Sequence, residues 1–479
     1  MNISIEYQLL TQLFLIVIII VAVMAAIHAI ITKRNPRSAL TWVGFILVWP
    51  LFGAIFYYYF GINRISRKVL KRMPLQKRTE VDVRSQAEAD KHYSNKHRYH
   101  AILHCSDNLG CPPLAFAEIS LQANGDSAYR KMLDAIAQAK VSISLYSYIF
   151  FYDRIGQRFV EALANAQLRG VRIRILIDAV GSARGKRKLT KALKAKHLPF
   201  ALFLPVVWRG NSSNLRNHRK LLIIDGKQAF TGGLNIAERY SDYYYKEKSV
   251  IDFNCEVTGN IVYHLQEVFV DDWFFTTGEV LGGEVWFVND IPVNQHRAAL
   301  TRLVVAGPVY LEERMHWHIL NAINVANYRL RIATPYFLPD ESIISALCSA
   351  ALRGVKVDIL IPSFIDHKVM NWALTAVMPE LLEKGCHILR SHPKFDHSKL
   401  LIVDDDYASI GSANWDARSF RLNFELNIGI IDKAFIAELI ELFEHKKQHA
   451  SLVELEAVKK QHLLKKIRNG LARMLTPYL

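Results

Sequence analysis

From Gln8 to Ile31 no side chain is formally charged, and Leu13 to Ile20 is almost purely aliphatic. A helix of these 24 residues rises roughly 36 Å, enough to cross a hydrocarbon core of about 30 Å. The basic stretch Lys33-Arg34-Asn35-Pro36-Arg37 follows, then a second uncharged run from Ser38 to Asn63. That run carries Trp42, Trp49 and Tyr57-Tyr58-Tyr59, aromatics that suit a membrane–water interface, and Pro50, which would kink it. The pattern predicts a membrane hairpin over residues 1–63, with transmembrane helices at about 8–31 and 38–61. A cleaved leader needs a basic start and a short apolar core. Met1 to Glu6 has no Lys or Arg, and the core is too long. The charges around the hairpin conflict: Lys33, Arg34 and Arg37 lie between the runs, and seven Lys or Arg fall between Arg64 and Arg78. The longer cluster favours both termini in the cytoplasm, and the loop charges argue against it. Residues 64–112 read as a basic linker lying on the membrane surface.

Beyond the linker the hydrophobic pattern repeats. Leu168-Arg169-Gly170-Val171-Arg172-Ile173-Arg174-Ile175-Leu176-Ile177-Asp178 recurs as Leu352-Arg353-Gly354-Val355-Lys356-Val357-Asp358-Ile359-Leu360-Ile361-Pro362. Each copy reads as a helix end, a Gly stop and a β-branched strand. Upstream of each is a β-rich run ending in aromatics, Val141 to Phe151 and Leu330 to Phe337. Downstream, His218-Arg219-Lys220-Leu221-Leu222-Ile223-Ile224-Asp225 matches His397-Ser398-Lys399-Leu400-Leu401-Ile402-Val403-Asp404. Repeats of this length are whole domains. The strand–helix–strand order predicts two duplicated α/β domains, at 113–290 and 291–446. A basic amphipathic helix is expected over 447–479, either in the membrane interface or packed on the catalytic body.

Composition sharpens the picture in two places. Hydrophobic residues are 51% and charged residues 22%, so extensive disorder is excluded. The net charge of +16 suits an anionic partner, nucleic acid or acidic membrane, and the hairpin selects the membrane. The five cysteines are an odd number with no CxxC spacing, which argues against a disulfide framework or zinc site.

The chemistry sits in the third repeated element. Each copy has the form His-x-Lys-x4-Asp, then, after six residues, Gly232-Gly233-Leu234-Asn235 or Gly411-Ser412-Ala413-Asn414. Residues i and i+2 of a strand share a face, so His218 and Lys220 project together, as do His397 and Lys399. An imidazole beside an ammonium suits attack on a phosphodiester, because the Lys offsets phosphate charge while the ring reacts. The turns Gly232-Gly233 and Gly411-Ser412 would let backbone amides approach phosphate, and Asn235 and Asn414 would add neutral donors. One such motif is often a surface pair. Two in register, each in a duplicated domain, point to one composite site.

Paired HxKxxxxD motifs trailed by G[GS]xN resemble the phospholipase D superfamily. Asn414-Trp415-Asp416-Ala417-Arg418-Ser419-Phe420-Arg421-Leu422-Asn423-Phe424-Glu425, Thr334 to Glu341, the Lys33 to Gly61 segment and the end Arg473 to Leu479 are similar to bacterial cardiolipin synthases. Gly233 departs from its counterpart Ser412, which puts little in doubt. The resemblance implies two α/β/α sandwich domains packed about a pseudo-dyad, with both HxK pairs in one site. It implies transfer of a phosphatidyl group between two phosphatidylglycerols through a phosphohistidine, giving cardiolipin and glycerol without metal or cofactor. It implies a multi-pass protein of the bacterial inner membrane with catalytic domains in the cytoplasm, an anionic-lipid partner and no nucleic acid. Only the resemblance names His218 the nucleophile and His397 the general acid. Asp225 and Asp404 are grouped with the catalytic residues, as groups that orient the site or simply cap a turn. Asp252 and Glu425, each on the strand following its motif, are candidates to hold a His tautomer.

Three rivals share the motifs. A hydrolase would use water in the second step, a nuclease fits the charge but not the hairpin, and a lipid-binding scaffold would not need both His-Lys pairs.

Overall fold

The computed structural model describes residues 2–33, 36–62, 98–204, 215–289, 291–294, 297–307, 313–365, 367–391 and 393–476. The expected basic linker lies largely outside these residues, as do Arg34, Asn35 and the last three positions of the C-terminal motif. The chain forms two compact units, one N-terminal and one holding everything from residue 98 on among the described residues.

In the N-terminal unit, α1 spans Asn2–Thr32, α2 Pro36–Val48 and α3 Pro50–Phe56, followed by one wide turn, Tyr57–Gly61. The stretch Tyr7–Thr32, mean hydropathy 3.1, is long and apolar enough to cross a membrane. The second run is not the single helix expected over 38–61. Pro50 lacks the N–H a continuous helix needs and starts α3 instead. The break folds α3 so tightly onto α2 that a Cβ at Gly53 would lie 2.7 Å from the Phe45 carbonyl. Ala22, Ala25, Ala26 and Ala29 give α1 a small-residue face against Trp42, Val43, Ile46 and Tyr57.

The larger unit is built on seventeen strands: β1 Leu114–Gln122, β2 Ser142–Ser147, β3 Arg172–Asp178, β4 Phe200–Phe203, β5 Leu221–Ile224, β6 Gln228–Gly232, β7 Asn254–Gly259, β8 Ala299–Ala306, β9 Arg329–Ala333, β10 Phe337–Leu338, β11 Lys356–Pro362, β12 His387–Ser391, β13 Leu400–Val403, β14 Tyr407–Gly411, β15 Trp415–Asp416, β16 Glu425–Ile431 and β17 Ala450–Leu452. Fifteen form one sheet, in the order β17-β12-β11-β9-β13-β14-β16-β8-β1-β7-β6-β5-β2-β3-β4. Read outward from the β8–β1 seam, the halves repeat each other. β1, β7, β6, β5, β2, β3, β4 match β8, β16, β14, β13, β9, β11, β12, so a pseudo-dyad passes between β1 and β8.

The repeated sequence explains the repeated geometry. Helices Arg154–Leu168 and Glu341–Leu352 are capped by Asp153 and Asp340, whose carboxylates accept from Gly156 N at 3.0 Å and Ile343 N at 3.3 Å. Both end on a glycine of positive φ, +90° at Gly170 and +92° at Gly354. Val171 N then bonds to Ala166 O and Val355 N to Ala350 O, which turns each chain directly into a parallel strand. The Leu-Leu-Ile-Ile and Leu-Leu-Ile-Val runs are β5 and β13, wholly buried mid-sheet.

The C-terminal region is not the single helix expected over 447–479. β17 extends the sheet edge beyond β12, and two helices, Leu455–Lys459 and Leu463–Met474, follow.

Candidate active site

Both HxK motifs end at the pseudo-dyad, and each is tied to the opposite half. His218 N donates to Phe424 O at 2.9 Å and Phe424 N to Arg216 O at 2.9 Å. Symmetrically, His397 N donates to Ile251 O at 2.7 Å and Ile251 N to Phe395 O at 2.9 Å. These bridges bring the imidazoles face to edge, ring centroids 6.5 Å apart. Each also places a carboxylate from one half on the histidine of the other. His218 Nδ1 lies 3.1 Å from Glu425 Oε2 and 3.0 Å from the Ser412 carbonyl. His397 Nδ1 lies 2.8 Å from Asp252 Oδ2. Two acceptors fix the proton of His218 on Nδ1 and leave Nε2 with its lone pair.

Lys220 and Lys399 are buried and their ammonium groups reach back to the carbonyls of His218 and His397. Lys399 Nζ also lies 3.2 Å from His397 Nε2. Burial pushes Lys399 down to about 8 against the raising effect of Asp252 and Glu425, and burial with the Lys399 ammonium adding to it puts Lys220 well below its usual range. Burial lowers His218 to about 4 against the raising effect of Glu425. His397 falls well below its usual value through burial and its neighbour Lys399. Both rings are therefore neutral at pH 7. The carboxylates differ. Interactions with His218, Lys220 and Ser412 overcome burial and hold Glu425 low, whereas burial raises Asp252 to about 7.

The histidines floor a cleft of about 760 Å³. Asn235, Asn414, Arg216, Arg239 and Arg418 present polar and cationic groups to it, while Phe364, Val369 and Met370 give it an apolar side. Asn235 is held by Ile149 N and by Tyr240, and the Asn414 side-chain oxygen is buried without a partner among the described residues. An anionic diester with hydrocarbon attached fits this division of the walls.

Two sequence assignments change. Asp225 and Asp404 stand at the far ends of β5 and β13, seven residues from their histidines and so roughly 20 Å away along extended chain. Both sit at φ +53° in the following turn. Asp225 accepts from the amides of Lys140, Val141 and Ser142, Asp404 from those of Asn327, Tyr328 and Arg329, at the entries to β2 and β9. They fasten strands and do not reach the cleft. The Gly232 and Gly411 positions are needed for packing. A Cβ at 232 would meet Phe253 O at 2.7 Å, and one at 411 would strike Leu426 O. In the second half the amides are already used, Ser412 N by Leu426 O at 2.9 Å and Ala413 N by Asn427 at 3.2 Å. The difference between Gly233 and Ser412 also has a cause. The Asp252 carboxylate fills the space a Cβ at 233 would need, whereas Ser412 Oγ donates to Glu425 at 2.5 Å.

Sequence reasoning missed the arginines of the cleft and a buried layer beneath it. Arg219 pairs with Asp272 at 2.6 Å, and Asn217 donates to the same carboxylate at 2.7 Å. In the other half Lys446 pairs with Asp396 at 3.0 Å and bonds Ser398. Arg219, on the strand face opposite His218 and Lys220, was a legible signal, since a core-facing Arg demands a buried carboxylate.

The family described as "Cardiolipin synthase, PLD-like domain" matches residues 132–273 and 319–447, one segment per half. The chain belongs to the cardiolipin synthase family of the phospholipase D superfamily. A second family, "Phospholipase_D-nuclease N-terminal", matches residues 20–61. The chain is 33% identical to cardiolipin synthase 2 of Bacillus anthracis, covering 93% of this chain and 88% of that one. It is 31% identical to cardiolipin synthase of Clostridium perfringens, covering 94% and 96%. The fold is shared with phosphatidylserine synthase of Haemophilus influenzae, at TM-score 0.62 and 16% identity, covering 78% of this chain and 99% of that one.

Proposed function

We propose that this family member is a phosphatidyltransferase that makes cardiolipin from two phosphatidylglycerols through a phosphohistidine. The observation that carries the reading is the facing imidazole pair, 6.5 Å apart, each ring with Nδ1 on a carboxylate of the opposite half. That gap admits one phosphorus with an attacking nitrogen on one side and a leaving oxygen on the other. His218 Nε2 attacks, the phosphorus–glycerol oxygen bond breaks, and His397 gives the departing oxygen its Nε2 proton while taking the Asp252 proton at Nδ1. His397 Nε2 then takes the proton from the hydroxyl of a second phosphatidylglycerol and returns the Nδ1 proton to Asp252. That oxygen attacks phosphorus, the N–P bond breaks and His218 is restored. Lys220, Lys399, Asn235 and Asn414 supply donors and positive potential to the equatorial oxygens. Asp252 and Glu425 hold the rings, while Asp225 and Asp404 act only through the strands they fasten.

The hydrophobicity of Tyr7–Thr32 supports a membrane protein, and we place it in the inner membrane with the catalytic unit in the cytoplasm, where the donor lipid is exposed. Purified full-length protein incubated with phosphatidylglycerol alone should yield cardiolipin and glycerol in equal amounts. Phosphatidate in place of cardiolipin would make it a hydrolase, and no turnover until phosphatidylethanolamine is added would change the donor. Rapid quench with phosphatidylglycerol carrying a radiolabelled phosphate should leave acid-labile, base-stable label on His218; label on His397 would exchange the two roles.

A further inference from the structure

The C-terminal helix Leu463–Met474 is attached with its apolar face outward. At about 100° per residue, Leu463, Leu464, Ile467, Leu471, Met474 and the adjoining Leu475 fall within an arc of roughly 120°. All are at least half exposed, Leu464 at 70% and Met474 at 74%. The opposite side, Asn469 and Ala472, is the buried one. It rests on the helix Lys368–Glu383 through polar contacts. The Arg468 guanidinium stacks 4.5 Å over Trp372, Arg473 lies 3.8 Å from Glu380, and Lys459 just upstream pairs with Glu383 at 2.7 Å. A helix that belonged only to a water-soluble body would turn the other way, burying its leucines and leaving arginine in solvent.

Two further observations say what covers this face. Lys460, Lys465 and Lys466 flank it, and their charge complements an anionic surface. Its place relative to the cleft is also fixed. The helix it packs on begins with Lys368, Val369 and Met370, which line the cleft beside Phe364, a cleft residue that is 69% exposed.

We propose that this helix lies in the headgroup–acyl boundary of an anionic bilayer and sets the mouth of the active-site cleft against the lipid surface. Acyl chains then need not leave the membrane for the headgroup to reach the histidines. The inference rests on the lipid-substrate reading above, but its first test is independent of catalysis. In the full-length chain carrying Cys105→Ser, a polarity-sensitive fluorophore on Leu471→Cys should shift to the blue in vesicles of phosphatidylglycerol and phosphatidylcholine. Lipids spin-labelled high on the acyl chain should quench it, and should not quench the same probe on Leu168→Cys. An unquenched probe at 471 overturns the proposal; a blue shift without lipid quenching means the face meets a second copy of the chain, which overturns it equally. The paired variant Leu464→Glu/Leu471→Glu should lower the ratio of turnover on vesicles to turnover on a short-chain monomeric phosphatidylglycerol by about tenfold or more. Leu464→Phe/Leu471→Phe should keep that ratio. An unchanged ratio in the Glu pair also overturns the proposal, whereas failure of wild type to form cardiolipin with the probe still quenched would fault the function and leave the docking face standing.

Discussion

Glu425→Gln tests the crossed pairing of the halves. Glu425 is fully buried and touches His218 Nδ1 at 3.1 Å, Ser412 Oγ at 2.5 Å and Asn423 Nδ2 at 3.3 Å. When His218 is protonated, at acid pH, a unit charge pair at that separation interacts by about 5 kcal/mol at an effective dielectric of about 20. Glutamine keeps the shape and removes the charge. Should its amide NH₂ face Nδ1, the imidazole proton moves to Nε2 and the lone pair that attacks phosphorus is lost. Removing a carboxylate that orients a reacting histidine typically costs 10-fold to 100-fold, and the tautomer penalty adds to it. We expect kcat to fall by roughly 10²–10³, about 3–4 kcal/mol of barrier. The pH profile carries a second signature. Burial lowers His218 to about 4 while Glu425 works in the raising direction, so removing Glu425 lowers it further. Protonated His218 cannot attack, so the acid limb of kcat/KM must move to lower pH in the variant even as the plateau drops. The assay is phosphatidylglycerol turnover by the purified protein in detergent across the acid range, with folding checked by circular dichroism. A loss below about threefold, or an acid limb displaced to higher pH, would refute the pairing.

His218→Ala and His397→Ala should each abolish turnover, with the double variant little worse than either single one; retention of more than about a tenth of activity in either, a barrier change under about 1.4 kcal/mol, would sink the paired mechanism. Asp404→Asn should act on stability instead. It weakens bonds to three strand-entry amides and an ion pair with Arg98, so urea denaturation followed by tryptophan fluorescence should show a loss of roughly 2–4 kcal/mol, with kcat per folded molecule nearly unchanged. Deleting residues 2–33, which include the long apolar stretch, should move much of the protein out of the membrane pellet in a salt-washed fractionation; full retention would mean that α1 is not the main anchor.

The parts of this protein that sequence revealed are those set by local period and by repetition. The Gly170 and Gly354 stops, the buried Leu-Leu-Ile runs and the register of the two motifs follow from near neighbours along the chain. Asp252 and Glu425 could be nominated as ring-holding carboxylates because each follows its own motif. Which histidine each one serves was not legible, because the answer depends on pairings 145 and 207 residues apart across the pseudo-dyad. The motif aspartates misled for a related reason. Their fixed spacing from the histidine reflects the length of one strand, and a strand carries its two ends to opposite edges of the sheet. Pro50 announced a kink, but not that Gly53 would fold α3 back against Phe45.

Duplication would by itself give two equivalent half-sites and no direction to the proton. The divergence lies around the motifs. Beneath the first, Arg219 is neutralised by Asp272; beneath the second the charges are exchanged, with Lys446 on the helix and Asp396 beside the histidine. The carboxylates diverge in the same sense. Glu425 is held ionised by His218 and Lys220 and fastened by Ser412, a bond that Gly233 cannot provide for Asp252. Asp252 is raised to about 7 by burial, close to neutrality. A neutral imidazole beside a fixed carboxylate is what a nucleophile needs. An imidazole whose partner carboxylate itself exchanges a proton near neutrality is suited to give one to a leaving alcohol and recover it from the next. These environments support the proposed attack by His218 and proton transfer by His397, a preference that the near-identical motifs do not contain.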